Sequence, residues 1–208
     1  MKNVYVCCEG QTETMFVRNY LSQYMGQFDI LMNPIILNPN EKTGQKGGIS
    51  KYSSAKKEIT IRSKEHKNEY VTTMIDYYGF PFNQVETSEK GKDPETWERI
   101  IQDDIGQPNC IFHFDVHEFE SILFAEPEAF HIYGKRVVEK ITKIRMEYPN
   151  PETINSRYES CPSRRLMGMI DGYSKVMSAN QLMANLDIDS IRRVCPHFNK
   201  WIQQLSEL

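Results

Sequence analysis

The stretch Glu69-Tyr-Val-Thr-Thr-Met-Ile75 constrains the fold more than any other part of the chain. It is a nearly continuous apolar and β-branched run that closes on an acid, Asp76. A run of this kind, without polar alternation, reads as a strand buried on both faces, as strands are in a parallel sheet covered by helices. Lys2 to Cys8 has the same character and stops at Glu9-Gly10, and Cys110 to Val116 has it again before His117-Glu118. Ile30 to Leu37 reads as a further strand. Between these runs the pattern turns helical. Thr12 is placed to cap a helix carrying Phe16, Val17, Tyr20 and Leu21, Tyr52 to about His66 repeats at helical spacing, and Pro94 to Ile101 follows Asp93, an N-cap with proline at the first helical position. This alternation implies an α/β fold with a mainly parallel central sheet flanked by helices. After Phe130 no strong strand pattern follows, and a Pro-Asn-Pro break interrupts helical sequence at 149–151. We therefore expect an α/β core over 1–130 and a mostly helical C-terminal extension over 131–208, packed on the same domain.

A chain of 208 residues can build one full hydrophobic core, and its 39% apolar and 25% charged residues are ordinary globular usage. No apolar run approaches the ~18 residues of a membrane span. The start, Met1-Lys2-Asn3-Val4, enters a strand directly and lacks the apolar core and cleavage site of a signal peptide, so a cytoplasmic location without membrane attachment is expected. Five cysteines, an odd number without CxxC spacing, argue against disulfides and structural zinc. The net charge of −3 excludes the global basicity of a nucleic-acid packaging protein but leaves room for a local basic face. Two stretches qualify: one contains Lys46, Lys51, Lys56, Lys57, Arg62 and Lys64, the other Arg157, Arg164, Arg165, Arg192 and Arg193. Solvated helix faces are the ordinary explanation of both.

Three expected strands end in acid, at Glu9, at Asp76 and at His117-Glu118 with Glu120 beyond. Ligands of open α/β sheets bind outside the carboxyl ends of the strands, so if these strands are neighbours their acids gather at one edge. Carboxylates at close quarters repel one another unless a cation neutralises them, and oxygen donors suit Mg²⁺ or Mn²⁺. Glu13, four residues after Glu9, can reach the same ion. The alternative for each acid is a helix N-terminal residue favoured by the macrodipole. That alternative is weaker for Glu9 and for Asp76, the latter directly following an apolar run. His117 at its strand end is a better ligand candidate than His113, with a hydrogen-bonded structural role as the alternative for either.

The segment Glu9-Gly10-Gln11-Thr12-Glu13 after an apolar strand resembles the Glu-Gly-x-Thr-Glu opening of Toprim-like domains, the metal-binding fold of topoisomerases, primases and the overcoming-lysogenization-defect nucleases. More closely, Val71 to Pro81 with Asp76-Tyr-Tyr-Gly-Phe-Pro81, His117-Glu-Phe-Glu-Ser-Ile-Leu-Phe124 and Ile191 to Trp201 with Cys195-Pro-His-Phe-Asn199 resemble an uncharacterised bacterial Toprim-like family. Some members of that family resemble components encoded beside ATPases in phage-defence loci. The likeness spans nearly the whole chain. Where Toprim domains carry Asp-x-Asp after the second metal strand, this chain has Asp76-Tyr77-Tyr78, and Glu118 or Glu120 is left to supply the missing ligand.

The resemblance implies a Mg²⁺-dependent phosphodiesterase, a nuclease on DNA or RNA, with Glu9, Asp76 and Glu120 on the metal and Glu13 or Glu118 completing the shell or acting as base. His117 is a further candidate ligand. Lys46 beside Gly47-Gly48, together with Arg164, Arg165 and Lys175, are the candidate phosphate contacts. The competing expectation is a non-catalytic partner subunit binding an associated ATPase or nucleic acid, with self-association into a homo-oligomer left open. Its docking face would lie in Ile188 to Leu205, where Phe198, Trp201, Ile202 and Leu205 form a stripe that is otherwise simply core.

Overall fold

A computed structural model describes residues 1–37, 48–89, 91, 93–154, 157 and 159–208. β1 (Lys2–Cys8) leads through Gly10 into α1 (Gln11–Phe16), a π-helical turn (Val17–Leu21) and α2 (Ser22–Met25). Helix α1 begins one residue ahead of Thr12, and Gly10 occupies the N-cap. It is Thr14, not Thr12, whose hydroxyl serves this turn, donating to Gly10 O at 2.8 Å. β2 (Ile30–Ile36) is followed by α3 (Tyr52–Glu65), β3 (Tyr70–Asp76), α4 (Pro94–Ile105), β4 (Cys110–Ile111) and β5 (Phe114–Asp115). Asp93 caps α4 as its position implies, accepting from Thr96 N–H at 2.8 Å.

The sheet runs β2-β1-β3-β4, with β5 also pairing to β3, and the β1–β2, β1–β3 and β3–β4 ladders are all parallel. β2 lies at the edge of the sheet, a position that tolerates a proline such as Pro34. Tyr5, Cys7, Val71 and Ile75 face a core built with Tyr52, Ala55 and Ile59 of α3 and Ile101 and Ile105 of α4. That core ends in an aromatic group: Phe80, Phe82, Phe112 and Phe114 lie with ring centroids 4.9 to 6.4 Å apart in tilted or edge contacts. The expected continuous strand from Cys110 to Val116 is instead two short ones. At His113 the chain leaves the backbone ladder: its N–H donates to Thr73 Oγ1 and its carbonyl accepts from the same hydroxyl, each at 2.7 Å.

Two compact units divide the chain, Met1–Phe114 and Asp115–Leu208, whereas sequence pattern alone divides it near 130. The second unit is helical: α5 (Lys135–Glu147), α6 (Pro162–Met169), α7 (Lys175–Met183), α8 (Ile188–Val194) and α9 (Pro196–Ser206). Their common support is Phe119–Ala125, a 3-10 helix in which all seven residues are buried. It touches α5, α6, α7 and α8, so the Phe-Glu-Ser-Ile-Leu-Phe run is a central pillar with no solvent face. The Phe198, Trp201, Ile202 and Leu205 stripe is likewise buried. Among the described residues, no helix is long and apolar enough to cross a membrane.

Candidate functional site

In the first unit, the chain passes from β1 to β2 on one side and later enters β3 on the other, so the connections diverge between β1 and β3. The crevice at the carboxyl end of such a divergence is the usual ligand position of open parallel sheets. Register places Cys8 beside Met74, and Glu9 N–H donates to Met74 O at 2.9 Å, which carries the ladder one residue past β1. From there the Glu9 side chain reaches across: its Oε2 accepts from Asp76 N–H at 3.0 Å. Glu9 and Asp76 are both half-buried at this edge.

Glu13 lies in the first turn of α1, where it is buried. A Cβ on Gly10 would stand 3.1 Å from Glu13 Oε2, closer than ordinary contact, so the glycine leaves the space into which this carboxylate folds. Glu9, Glu13 and Asp76 thus put oxygen donors near the carboxyl ends of β1 and β3, without their carboxylate oxygens all lying within 4.8 Å of one another. Donors of this kind fit a Mg²⁺ or Mn²⁺ ion.

The second unit holds the other expected acids, in different roles. Glu118 is buried and both its oxygens are engaged by Ser163, one by the backbone N–H and one by the hydroxyl, each at 2.9 Å. Ser163 lies in the first turn of α6, which starts at Cys161-Pro162 and has no capping side chain of its own. Glu118 is therefore a distant cap, supplying anionic acceptors to an otherwise open helix start. Glu152, not singled out by sequence, does the same for α9 at Cys195-Pro196, accepting from His197 N–H at 3.0 Å and Phe198 N–H at 2.8 Å. The repeated Cys-Pro helix start, with proline at N1 and no capping side chain, was the available signal.

Glu120 is 2% exposed and pairs with Lys175 Nζ at 3.1 Å. Burial raises its pKa, Lys175 pulls it back and Glu118 adds to the rise. The Tyr173 hydroxyl is buried without a hydrogen-bond partner among the described residues, and burial followed by Glu120 pushes its pKa up. His117 has φ of 66°, a left-handed conformation uncommon outside glycine, and burial lowers its imidazole pKa against the opposing pull of Glu118. Asp115, 3% exposed at the end of β5, is a buried acid that the expected strand through Val116 concealed. His113 is a framework residue: beyond the Thr73 clamp, its Nδ1 lies 3.4 Å from Glu98 Oε1, which also accepts from Phe114 N–H at 2.7 Å.

Of the expected phosphate contacts, Lys46 lies outside the described residues. Arg164 is exposed on α6. Arg165 is committed locally, donating to Ser160 O at 2.7 Å with its guanidinium over Tyr148. Lys175 is the partner of Glu120. On α3, Lys56 pairs with Asp104 and Arg62 with Glu65.

A family model described as Domain of unknown function (DUF4276) matches residues 8–206. No curated protein and no solved structure matches the chain.

Proposed function

The chain belongs to the DUF4276 family, whose description assigns no activity, and from that premise we propose that it is a Mg²⁺- or Mn²⁺-dependent phosphodiesterase acting on nucleic acid, with Glu9, Glu13 and Asp76 as the metal-holding residues. The observation that carries this reading is the meeting of Glu9 and Asp76 at the divergence of β1 and β3, joined by the hydrogen bond from Asp76 N–H to Glu9 Oε2. Glu9 and Asp76 close neighbouring strands where parallel sheets bind ligands, and carboxylates brought close there are costly without a cation. The Glu9 to Glu13 opening, similar to that of Toprim-like domains, supports the same assignment.

A divalent ion held there would supply Lewis acidity toward a phosphoryl oxygen and lower the pKa of water. The chain's own contribution is positional. The Asp76 N–H fixes one oxygen of Glu9 and so orients the other, Gly10 keeps the space for Glu13, and the parallel register of β1 and β3 holds the strand ends at constant spacing. Glu118 is engaged elsewhere, at the start of α6, where Ser163 holds both its oxygens.

A second reading rests on Tyr78, exposed where Toprim-like domains carry a second aspartate: a metal-binding partner subunit for an associated ATPase, without turnover of its own. Calorimetric titration of Mn²⁺ into the protein and into a folded Asp76→Asn variant tests the site. Saturable binding abolished by the variant is expected, and absence of binding to the unmodified protein overturns the metal assignment. Metal-dependent cleavage of single- or double-stranded nucleic acid, lost in Glu9→Gln, then separates enzyme from partner subunit.

A further inference from the structure

The second unit has two depressions flanking α5, and their charges differ. The larger, about 850 Å³, has Glu128 and Glu139 set against Lys135, Lys143 and His131, so it offers an anion little net attraction. The smaller, about 420 Å³, is lined by Arg136 and Lys140 of α5, by Tyr133 and by the Gly168–Asp171 segment, with Val137 and Ile170 as its apolar floor. Asp171 is the single acid of that lining.

Arg136 and Lys140 are four residues apart, so they project from one face of α5 about 6 Å from each other at Cβ. Both are exposed, and among the described residues neither forms an ion pair or a hydrogen bond. Some cations on other helices are matched, Lys56 by Asp104, Arg99 by Glu89 and Arg192 by Asp189. Glu139, their helical neighbour, lines the opposite depression. The Tyr133 hydroxyl donates to Gln181 Oε1 at 3.0 Å, which anchors the half-buried ring as a fixed wall. Two unmatched cations beside an anchored aromatic face form the combination that holds single-stranded nucleic acid, the cations taking phosphate oxygens and the ring taking a base.

We propose that the cleft between α5 and the Gly168–Asp171 segment is a nucleic-acid contact site, with Arg136 and Lys140 on successive phosphates and Tyr133 stacking a base. The choice of polymer rests on the phosphodiesterase reading above, while the site is separate from the carboxylate set. A nucleotide strand, rather than free phosphate, is the ligand that uses the aromatic wall together with the charge.

The test is fluorescence anisotropy of a labelled oligothymidylate, titrated with the 208-residue chain in EDTA so that neither metal binding nor cleavage enters. Arg136→Ala and Lys140→Ala, each shown folded by circular dichroism, are expected to weaken binding several-fold. Each should also lower the slope of log affinity against log salt by about 0.7, the value for one lost single-strand phosphate contact. Tyr133→Leu should weaken binding without changing that slope, and Lys143→Ala in the balanced groove should leave both unchanged. Wild-type affinity and slope in the Arg136→Ala/Lys140→Ala double variant overturn the site. Competition by inorganic phosphate alone, with no effect of Tyr133→Leu, overturns the strand assignment. Loss of Mn²⁺ binding in Asp76→Asn with oligonucleotide binding intact leaves the cleft standing. Loss of the cleft with Mn²⁺ binding intact leaves the metal site standing.

Discussion

What a buried glutamate does in this chain depends on what its oxygens touch. Glu118 and Glu152 each receive two hydrogen bonds from a helix start, while Glu120 has one lysine and little solvent. Glu152→Ala leaves two N–H groups of α9 without their acceptor, and a buried donor so stranded costs about 1–3 kcal/mol. Urea unfolding should show a loss in that range, and an unchanged midpoint would contradict the capping role. Glu120 sets a pH dependence. Because burial raises its folded pKa above 4.5, its stabilising contribution is full below the unfolded value and is lost as pH rises through the folded value. Glu120→Gln should therefore gain stability relative to the unmodified protein as pH increases from about 4.5 to 7. A flat or opposite difference would show that Lys175 outweighs burial.

Among the elements, the break between β4 and β5 shows a side chain doing the work of a ladder. Thr73 Oγ1 both receives the His113 N–H and donates to its carbonyl, so one hydroxyl satisfies two backbone groups deep in the sheet. Thr73→Val keeps the shape and removes both bonds; a destabilisation of about 1–3 kcal/mol is expected in thermal or urea unfolding. No pattern of apolar residues announces such a departure, which explains why Cys110 to Val116 reads as one strand. The Phe119–Ala125 segment carries equally little local signal. Its residues are all buried, and periodicity carries no information when there is no exposed face to alternate with. β1, β3 and α4 were legible because burial on both faces or a proline-led cap leaves a local mark, and α3 because Tyr52, Ala55 and Ile59 recur at helical spacing.

For the molecule as a whole, binding at the carboxylate set should appear as stability, since a ligand that binds only the native state adds RT ln(1 + [L]/Kd), about 2.7 kcal/mol at a hundredfold excess over Kd. Mn²⁺ should raise the melting temperature of the unmodified protein and leave that of Asp76→Asn unmoved. An equal shift in both would place the ion elsewhere. All five cysteines are buried, and burial raises the Cys110 thiol to about 11 and pushes those of Cys7 and Cys195 well above their ordinary value.

By itself the sequence determined the α/β alternation, the strands that end on Glu9 and Asp76, and the cap of α4, because each depends on neighbours within a few positions. Only the tertiary structure decided that β1 and β3 lie side by side, that Glu9 accepts from the Asp76 N–H, and that Glu118 and Glu152 close helices 45 residues away. A hydrogen bond between distant positions leaves no periodic trace in either segment. The oxygens of Glu118 could be told from those of Glu9 only once their partners were in place.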